Sequence, residues 1–290
     1  MCERWIWVDG RLQAAASASL PLLDRGARDG EGLFETVRIY GRRPFAWHRH
    51  LERLVVSAAE LGFPVAPSPT LLAAALAEAL AANQLDDAVG RLTMTRGIPG
   101  GRPTRCGVWV EVEPLQGRMW HGTRAEGATL MRSRRPFSPG SIGRHKTTSR
   151  LPYHLAREEA RSSDADEALL VDADGVVLEG AVSSVFVVRE SRVLTPPLSL
   201  GILPGITRAI VLELCRSLEL ETVEAPFDVD SLAGADEIFL VNSVQEVVPV
   251  VRFESATISS RTLGLRLCAA YRERVASELD VVELPRRGAI

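Results

Sequence analysis

The chain opens on alternating apolar and polar positions, WIWVDGRL, that reverse at Asp9-Gly10, and a second run, GLFETVRIYGRRPF, is rich in β-branched and aromatic residues and turns at Gly41. Both are strand patterns. The period then changes: from Trp47 to Leu61 the apolar residues Leu51, Leu54, Val55, Ala58 and Leu61 recur at three and four, which predicts a helix. Ser68-Pro69 supplies an N-cap and a first-turn proline for a second helix to about Ala82. RLTMTRG and CGVWVEVEPL return to strand patterns. Residues 1–115 are therefore expected to form a smaller α+β domain.

GRMWHGTRAEG is poor in apolar residues and rich in glycine, so a linker is expected over 116–126, with a larger domain over 127–290. There ATLMRS reads as a strand and LPYHLAREEARSSD as a helix. DEALLVDADGVVLEG reads as a hairpin about Asp174-Gly175, followed by strands in VSSVFVV and RVLTPP. GILPGITRAIVLELCRSLEL passes from a Gly/Pro turn into an amphipathic helix, TVEAPF and DEIFLVNSV are strand-like, and RTLGLRLCAAYRERVASEL closes as a helix. The fold class is α/β (α+β) in two domains. Its length of 290 residues allows each its own core.

Composition narrows the chemistry mainly by exclusion. A net charge of −3 gives no basic footprint for nucleic acid. Cys2, Cys106, Cys215 and Cys268 form no C-x-x-C pair and have no metal-ligand spacing with any histidine, so no metal site is expected. They read as small buried residues in a reducing compartment. No apolar run is long enough to span a bilayer, and the expected location is the cytoplasm.

One residue stands apart. Lys146, in GRHKTTSR, is the single lysine among 34 lysine and arginine residues. Arginine supplies permanent charge, whereas a lysine that loses its proton is a nucleophilic amine. A lysine kept for charge alone is replaceable, and this chain has replaced lysine everywhere else.

Around it stand DRGARDGEGLFETVR and HLERL upstream, and VVLEGAVSSVF, LPGITR and FLVNSVQEVVPV downstream. In this order and spacing the series resembles the class IV (fold-type IV) pyridoxal-phosphate enzymes, a family of aminotransferases that also contains 4-amino-4-deoxychorismate lyase. The resemblance implies two domains with pyridoxal 5'-phosphate in the cleft between them, and a homodimer. It makes Lys146 the catalytic Schiff-base lysine and Glu179 the partner of the cofactor's pyridine nitrogen. Arg53, Gly205, Ile206, Thr207 and Ser243 become contacts to the phosphate, the three helix-start residues because unpaired amides and the helix dipole favour an anion there.

Substrate carboxylates favour arginine, and Arg96, Arg91 and Arg28 are the candidates. Asp29 and Glu31 depart from the family's usual aromatic-Gly-Asp-Gly run before FET, placing acids beside these arginines. The expected reaction is transamination between an amino acid or amine and a keto acid. The alternative is the lyase reaction, releasing pyruvate and p-aminobenzoate. A non-catalytic binding protein on the same scaffold would have no use for Lys146, Glu179 and Arg53 together.

Overall fold

The computed structural model of the chain describes residues 3–63, 66–100, 106–115, 120 and 127–281. These cluster into two units. The first gathers described residues within Met1–Arg118, His145–Ser149 and Glu278–Ile290, and the second those within Met119–Arg144 and Arg150–Ser277. Of the linker expected over 116–126, only Trp120 lies among the described residues.

In the first unit, β1 (Trp5–Val8) and β2 (Arg11–Ala14) join through Asp9 and Gly10, at φ 45° and 96°. Positive φ at both central positions is what a two-residue hairpin turn requires. A five-residue helix, α1 (Arg25–Asp29), follows, with Asp24 accepting from the Gly26 amide at its start. It is too short to leave a periodic trace in the sequence. Then come β3 (Gly32–Tyr40), β4 (Arg43–Pro44), α2 (Trp47–Glu60), α3 (Pro69–Asn83), β5 (Ala88–Thr95) and β6 (Val108–Pro114). The strands form one antiparallel sheet in the order β2-β1-β6-β5-β3-β4.

Leu33, Val37 and Ile39 of β3 and Leu92 and Met94 of β5 pack with Leu51 and Leu54 of α2 and Leu72, Leu76 and Leu80 of α3. Side chains alternate along a strand, so Glu35 shares the face of Leu33, Val37 and Ile39. A carboxylate thus occupies a core-facing position.

The second unit holds β7 (Ala128–Arg132), α4 (Leu151–Ser162), β8 (Glu167–Val171), β9 (Val177–Gly180), β10 (Ser184–Arg189) and β11 (Arg192–Thr195). It continues with α5 (Ile206–Ser217), β12 (Thr222–Glu224), β13 (Glu237–Asn242), β14 (Glu246–Phe253), β15 (Ala256–Thr257) and α6 (Thr262–Val281). The sheet runs β12-β11-β10-β13-β14-β7-β8-β9, with β15 on β14.

β14 is absent from the sequence reading because Pro249 interrupts its run. It is nevertheless an interior strand, antiparallel to β13 and parallel to β7. A proline in mid-sheet is tolerated at irregularities, and the β14–β7 ladder takes up register only from Val250, with a shift before Arg252.

Among the described residues no helix is long and apolar enough to cross a membrane. Nor does any group of three or more His, Cys, Asp and Glu residues stand ready to hold a metal. Cys106 and Cys215 are buried, as expected, whereas Cys268 is only half-buried because it sits on the partly exposed surface of α6.

Candidate active site

Lys146 belongs to the first unit, on a short segment that pairs with β3. Leu33 and Thr147 form an antiparallel bridge, the Phe34 amide donates to the Lys146 carbonyl at 2.9 Å, and the Thr148 amide to Gly32 at 2.8 Å. Thr148 Oγ1 and Ser149 Oγ both donate to the Gly30 carbonyl. The approach is close enough that a Cβ on Gly32 would lie 2.6 Å from Thr148 Oγ1. Beside the lysine, buried His145 reaches α2, with Nδ1 3.1 Å from Ser57 Oγ and Nε2 3.6 Å from Glu60. The half-buried Lys146 places Nζ 4.7 Å from the centre of the Phe34 ring.

Beneath α2 lies a network built on Glu35. Arg53 clamps its carboxylate with two charge-assisted bonds, Nε at 2.8 Å and Nη2 at 2.6 Å, and His50 Nδ1 stands 2.7 Å from Oε2. His50 and Arg53 are three apart, so they share one face of the helix. Burial opposes ionisation of Glu35, but the charge of Arg53 and the hydrogen bonds of His50 and Arg53 outweigh it and hold the carboxyl at about 2. Burial lowers the pKa of His50, with the charges of Arg53 and Lys146 adding to it against the bond to Glu35, so the imidazole is neutral near pH 7 with Nδ1 as donor. Neither Glu35 nor His50 was singled out from the sequence. The available signal was an acid at a core-facing strand position paired with a His-x-x-Arg helix face.

The expected substrate arginines fall in different settings. Arg96 is engaged on every side: Nε is 2.5 Å from Glu31, Nη1 and Nη2 donate to the Gly62 and Leu61 carbonyls, and its guanidinium lies 4.7 Å from the Phe63 ring centre. Arg28 is exposed and pairs with Asp29 at 3.0 Å. Arg91, on β5, stacks on Phe34 at 3.7 Å, the ring that Lys146 also approaches. Asp29 thus pairs with Arg28 of its own segment, and Glu31 with Arg25 of that segment and with the distant Arg96.

In the second unit Glu179, next to last in β9, is a buried carboxylate, facing the Tyr153 hydroxyl at 3.5 Å and accepting from the Leu203 amide at 3.3 Å. Leu203 leads through Pro204 to Gly205, the N-cap of α5, which makes no side-chain cap bond. Ile206 and Thr207 follow in the first turn, both buried. A Cβ on Gly205 would come within 2.8 Å of Ser184 Oγ, so the loop and β10 are in close contact. Ser243 is half-buried in a turn after β13, where Asn242 Oδ1 accepts from the Val244 and Gln245 amides.

An amine on a pinned segment, a buried carboxylate and an open helix start are the parts expected of one chemistry. The model of the family "Amino-transferase class IV" matches residues 32–253. The chain belongs to this family. D-alanine aminotransferase of Bacillus licheniformis is 33% identical over 264 residues, 88% of this chain and 90% of that protein. Aminodeoxychorismate lyase of Bacillus subtilis is 29% identical over 267 residues, covering 89% and 91%. A solved branched-chain amino acid aminotransferase from T.th., in complex with pyridoxamine 5'-phosphate, superposes with a TM-score of 0.84 at 28% identity, covering 96% of this chain and 95% of that one.

The enzyme is thus a class IV, fold-type IV aminotransferase that uses pyridoxal 5'-phosphate. Its donor set fits that group: one primary amine for the aldehyde, a buried carboxylate suited to a protonated ring nitrogen, and uncapped helix-start amides suited to a phosphate.

Proposed function

We propose that the enzyme transfers an amino group between an amino acid or amine and a keto acid, with Lys146 as both the attachment point of the cofactor and the carrier of the proton. The observation that supports this best is the lysine itself. It is the only one in the chain, and it is half-buried on a segment bridged to β3 and tied to α2.

Bound pyridoxal phosphate supplies an aldehyde that condenses with amines and a ring that withdraws electrons from the substrate bond being broken. The Lys146 amine would hold the cofactor's aldehyde at rest and, once free, would act as the base that takes the proton from the substrate α-carbon. Glu179 keeps a proton on the ring nitrogen. The amides of Gly205, Ile206 and Thr207, with Arg53 and Ser243, hold the phosphate. Arg53 suits this because its bidentate bond to Glu35 fixes the guanidinium plane. Arg91 is favoured for the substrate carboxylate, since it shares the Phe34 ring with Lys146.

A second reading has its own support in the lyase relative, of similar length and 29% identity. The two reactions differ in what they consume. A transaminase needs a keto acid to complete each cycle, whereas loss of pyruvate from aminodeoxychorismate needs no second substrate. We expect the cofactor absorbance of the holoenzyme to change with D-alanine or a branched-chain amino acid and to recover only on adding a keto acid. Repeated turnover of aminodeoxychorismate without a keto acid, and no spectral change with either hand of amino acid, would transfer the assignment to the lyase.

We place the enzyme in the cytoplasm, in keeping with the free thiols of Cys106 and Cys215. We also propose a homodimer. Leu151 and Leu155, one turn apart on α4, are 68% and 42% exposed and offer an apolar face for a second copy.

A further inference from the structure

β8 reads EALLV and is buried throughout, yet its first residue is a carboxylic acid, Glu167, only 1% exposed. Burying a carboxylate is costly unless it is well hydrogen-bonded. Its partners are neutral donors. Oε1 accepts from the Ala168 amide at 3.0 Å, and Oε2 from the Val182 amide at 3.1 Å and the Ser183 hydroxyl at 2.8 Å. Burial pushes the pKa of Glu167 up against these bonds, with Arg157 adding a smaller opposing charge. Packing of β8 alone does not require this acid, so its location has to explain it.

The location is the turn between β9 and β10. That turn is closed by the Gly180 amide on the Ser183 carbonyl at 2.7 Å, anchored by the Ala181 amide on Ala168, and held at the Ala181 carbonyl by Arg150 Nη2 at 2.7 Å. It is packed so closely that a Cβ on Gly180 would lie 2.1 Å from Ser183 Oγ and 3.1 Å from Glu167 Oε2. Glu179 immediately precedes the turn. Ser184 immediately follows it, with Oγ against Gly205 at the start of α5. Two donors on adjacent residues converge on one point, and a carboxylate oxygen can accept both.

We infer that Glu167 is a positioning residue for the cofactor: by holding the Gly180–Ser183 turn it aims the Glu179 carboxylate on one side and sets Ser184 against the helix start on the other. This rests on the reading of Glu179 as the partner of the ring nitrogen. Glutamine at 167 would put an NH2 group where one of these donors now finds an acceptor, or leave a neighbouring amide unpaired, and the turn would shift.

The test compares Glu167→Gln, Ser183→Ala and Ser183→Thr holoenzymes with the parent. The readouts are the dissociation constant of pyridoxal 5'-phosphate, the 15N signal of ring-labelled cofactor, the isotope effect with an α-deuterated amino donor, and the melting temperature. Loss of one such buried bond is expected to weaken cofactor binding and slow proton removal roughly tenfold each. The 15N signal should move towards the unprotonated position in Glu167→Gln and Ser183→Ala, and return in Ser183→Thr, which keeps the hydroxyl. If Glu167→Gln does not fold, the two serine variants decide the matter alone. Variants that melt lower but leave the 15N signal, isotope effect and cofactor affinity at parental values would overturn the inference and make Glu167 purely structural. A Glu179→Gln holoenzyme, measured in parallel, separates the two ideas: an unchanged 15N signal there overturns the reading of Glu179 itself.

Discussion

Phe34 and Lys146 meet twice. The Phe34 amide donates to the Lys146 carbonyl at 2.9 Å, and the Lys146 ammonium lies 4.7 Å from the centre of the Phe34 ring. The first contact fixes the segment through its backbone, whatever side chain stands at 146, and the second depends on a cation that arginine also supplies. Lys146→Arg is therefore expected to fold and melt like the parent while losing turnover by at least roughly 10²–10⁴-fold, because only the amine is gone. Far-UV circular dichroism with a coupled keto-acid assay checks this, and appreciable residual activity would remove Lys146 from the chemistry.

Glu35 should leave its mark on acid stability. Its carboxyl sits at about 2 in the folded chain against an ordinary 4.5. A depressed carboxyl stabilises the fold above its unfolded pKa, and the contribution is lost as pH falls from about 4.5 towards about 2, roughly 3 kcal/mol in all. Glu35→Gln, which removes the buried charge that Arg53 and His50 both face, is expected to cost a similar amount near pH 7. Its denaturant midpoint should also vary less between pH 5 and 2.5 than the parent's. Equal slopes in that window would mean that Arg53 does not hold Glu35 ionised.

Most of the elements were legible because period and punctuation agree. Asp9-Gly10 and Asp174-Gly175 mark hairpins, and Ser68 caps α3 through the Leu71 amide as its position before Pro69 suggests. Of the elements that escaped, α1 and the two-residue β15 are too short for periodicity, and Pro249 disguised β14. The candidate site was legible only as a set of residue types. Lys146 and Glu179 could be named from neighbouring motifs. That Glu31 would take up Arg96, or that Glu35 would join His50 and Arg53, depends on pairings between elements far apart in sequence. Nothing in the pattern of β8 sets Glu167 apart, since an acid at the start of an apolar strand is ordinary in sequence terms.

The start of α5 offers a steric test. Gly205 has φ −64° and ψ 131°, which alanine tolerates, but an added Cβ would press on Ser184 Oγ at 2.8 Å and Arg208 Cβ at 3.2 Å. Gly205→Ala is therefore expected to cost about 1–3 kcal/mol by overpacking and to weaken cofactor binding as the first helical amides shift. Adding Ser184→Ala removes the nearer obstruction and should recover much of the affinity, a non-additive pair. Strictly additive losses in cofactor titrations would show that the two residues do not press on one another.

Arg91 and Arg96 should part company when each is changed to leucine. Arg96 bonds the Leu61 and Gly62 carbonyls where α2 ends and pairs with Glu31 at 2.5 Å. Its loss leaves those carbonyls without their charged donor and Glu31 with Arg25 alone. A fall of about 2 kcal/mol in stability is expected, as for hydrogen bonds to charged groups, with KM for a carboxylated donor changed little. Arg91 stacks on the Phe34 ring that Lys146 also approaches and has a 3.7 Å approach to Glu111. Arg91→Leu is expected to raise KM for carboxylated donors roughly tenfold or more through loss of a charge-assisted contact. Amines without a carboxylate should be spared, and the melting temperature nearly unchanged. Steady-state kinetics on both donor classes, alongside thermal melts, read the two effects separately. If Arg96→Leu instead raised KM selectively for carboxylated donors and melted like the parent, the carboxylate would belong to Arg96, and the Glu31 pair would have to open when substrate binds.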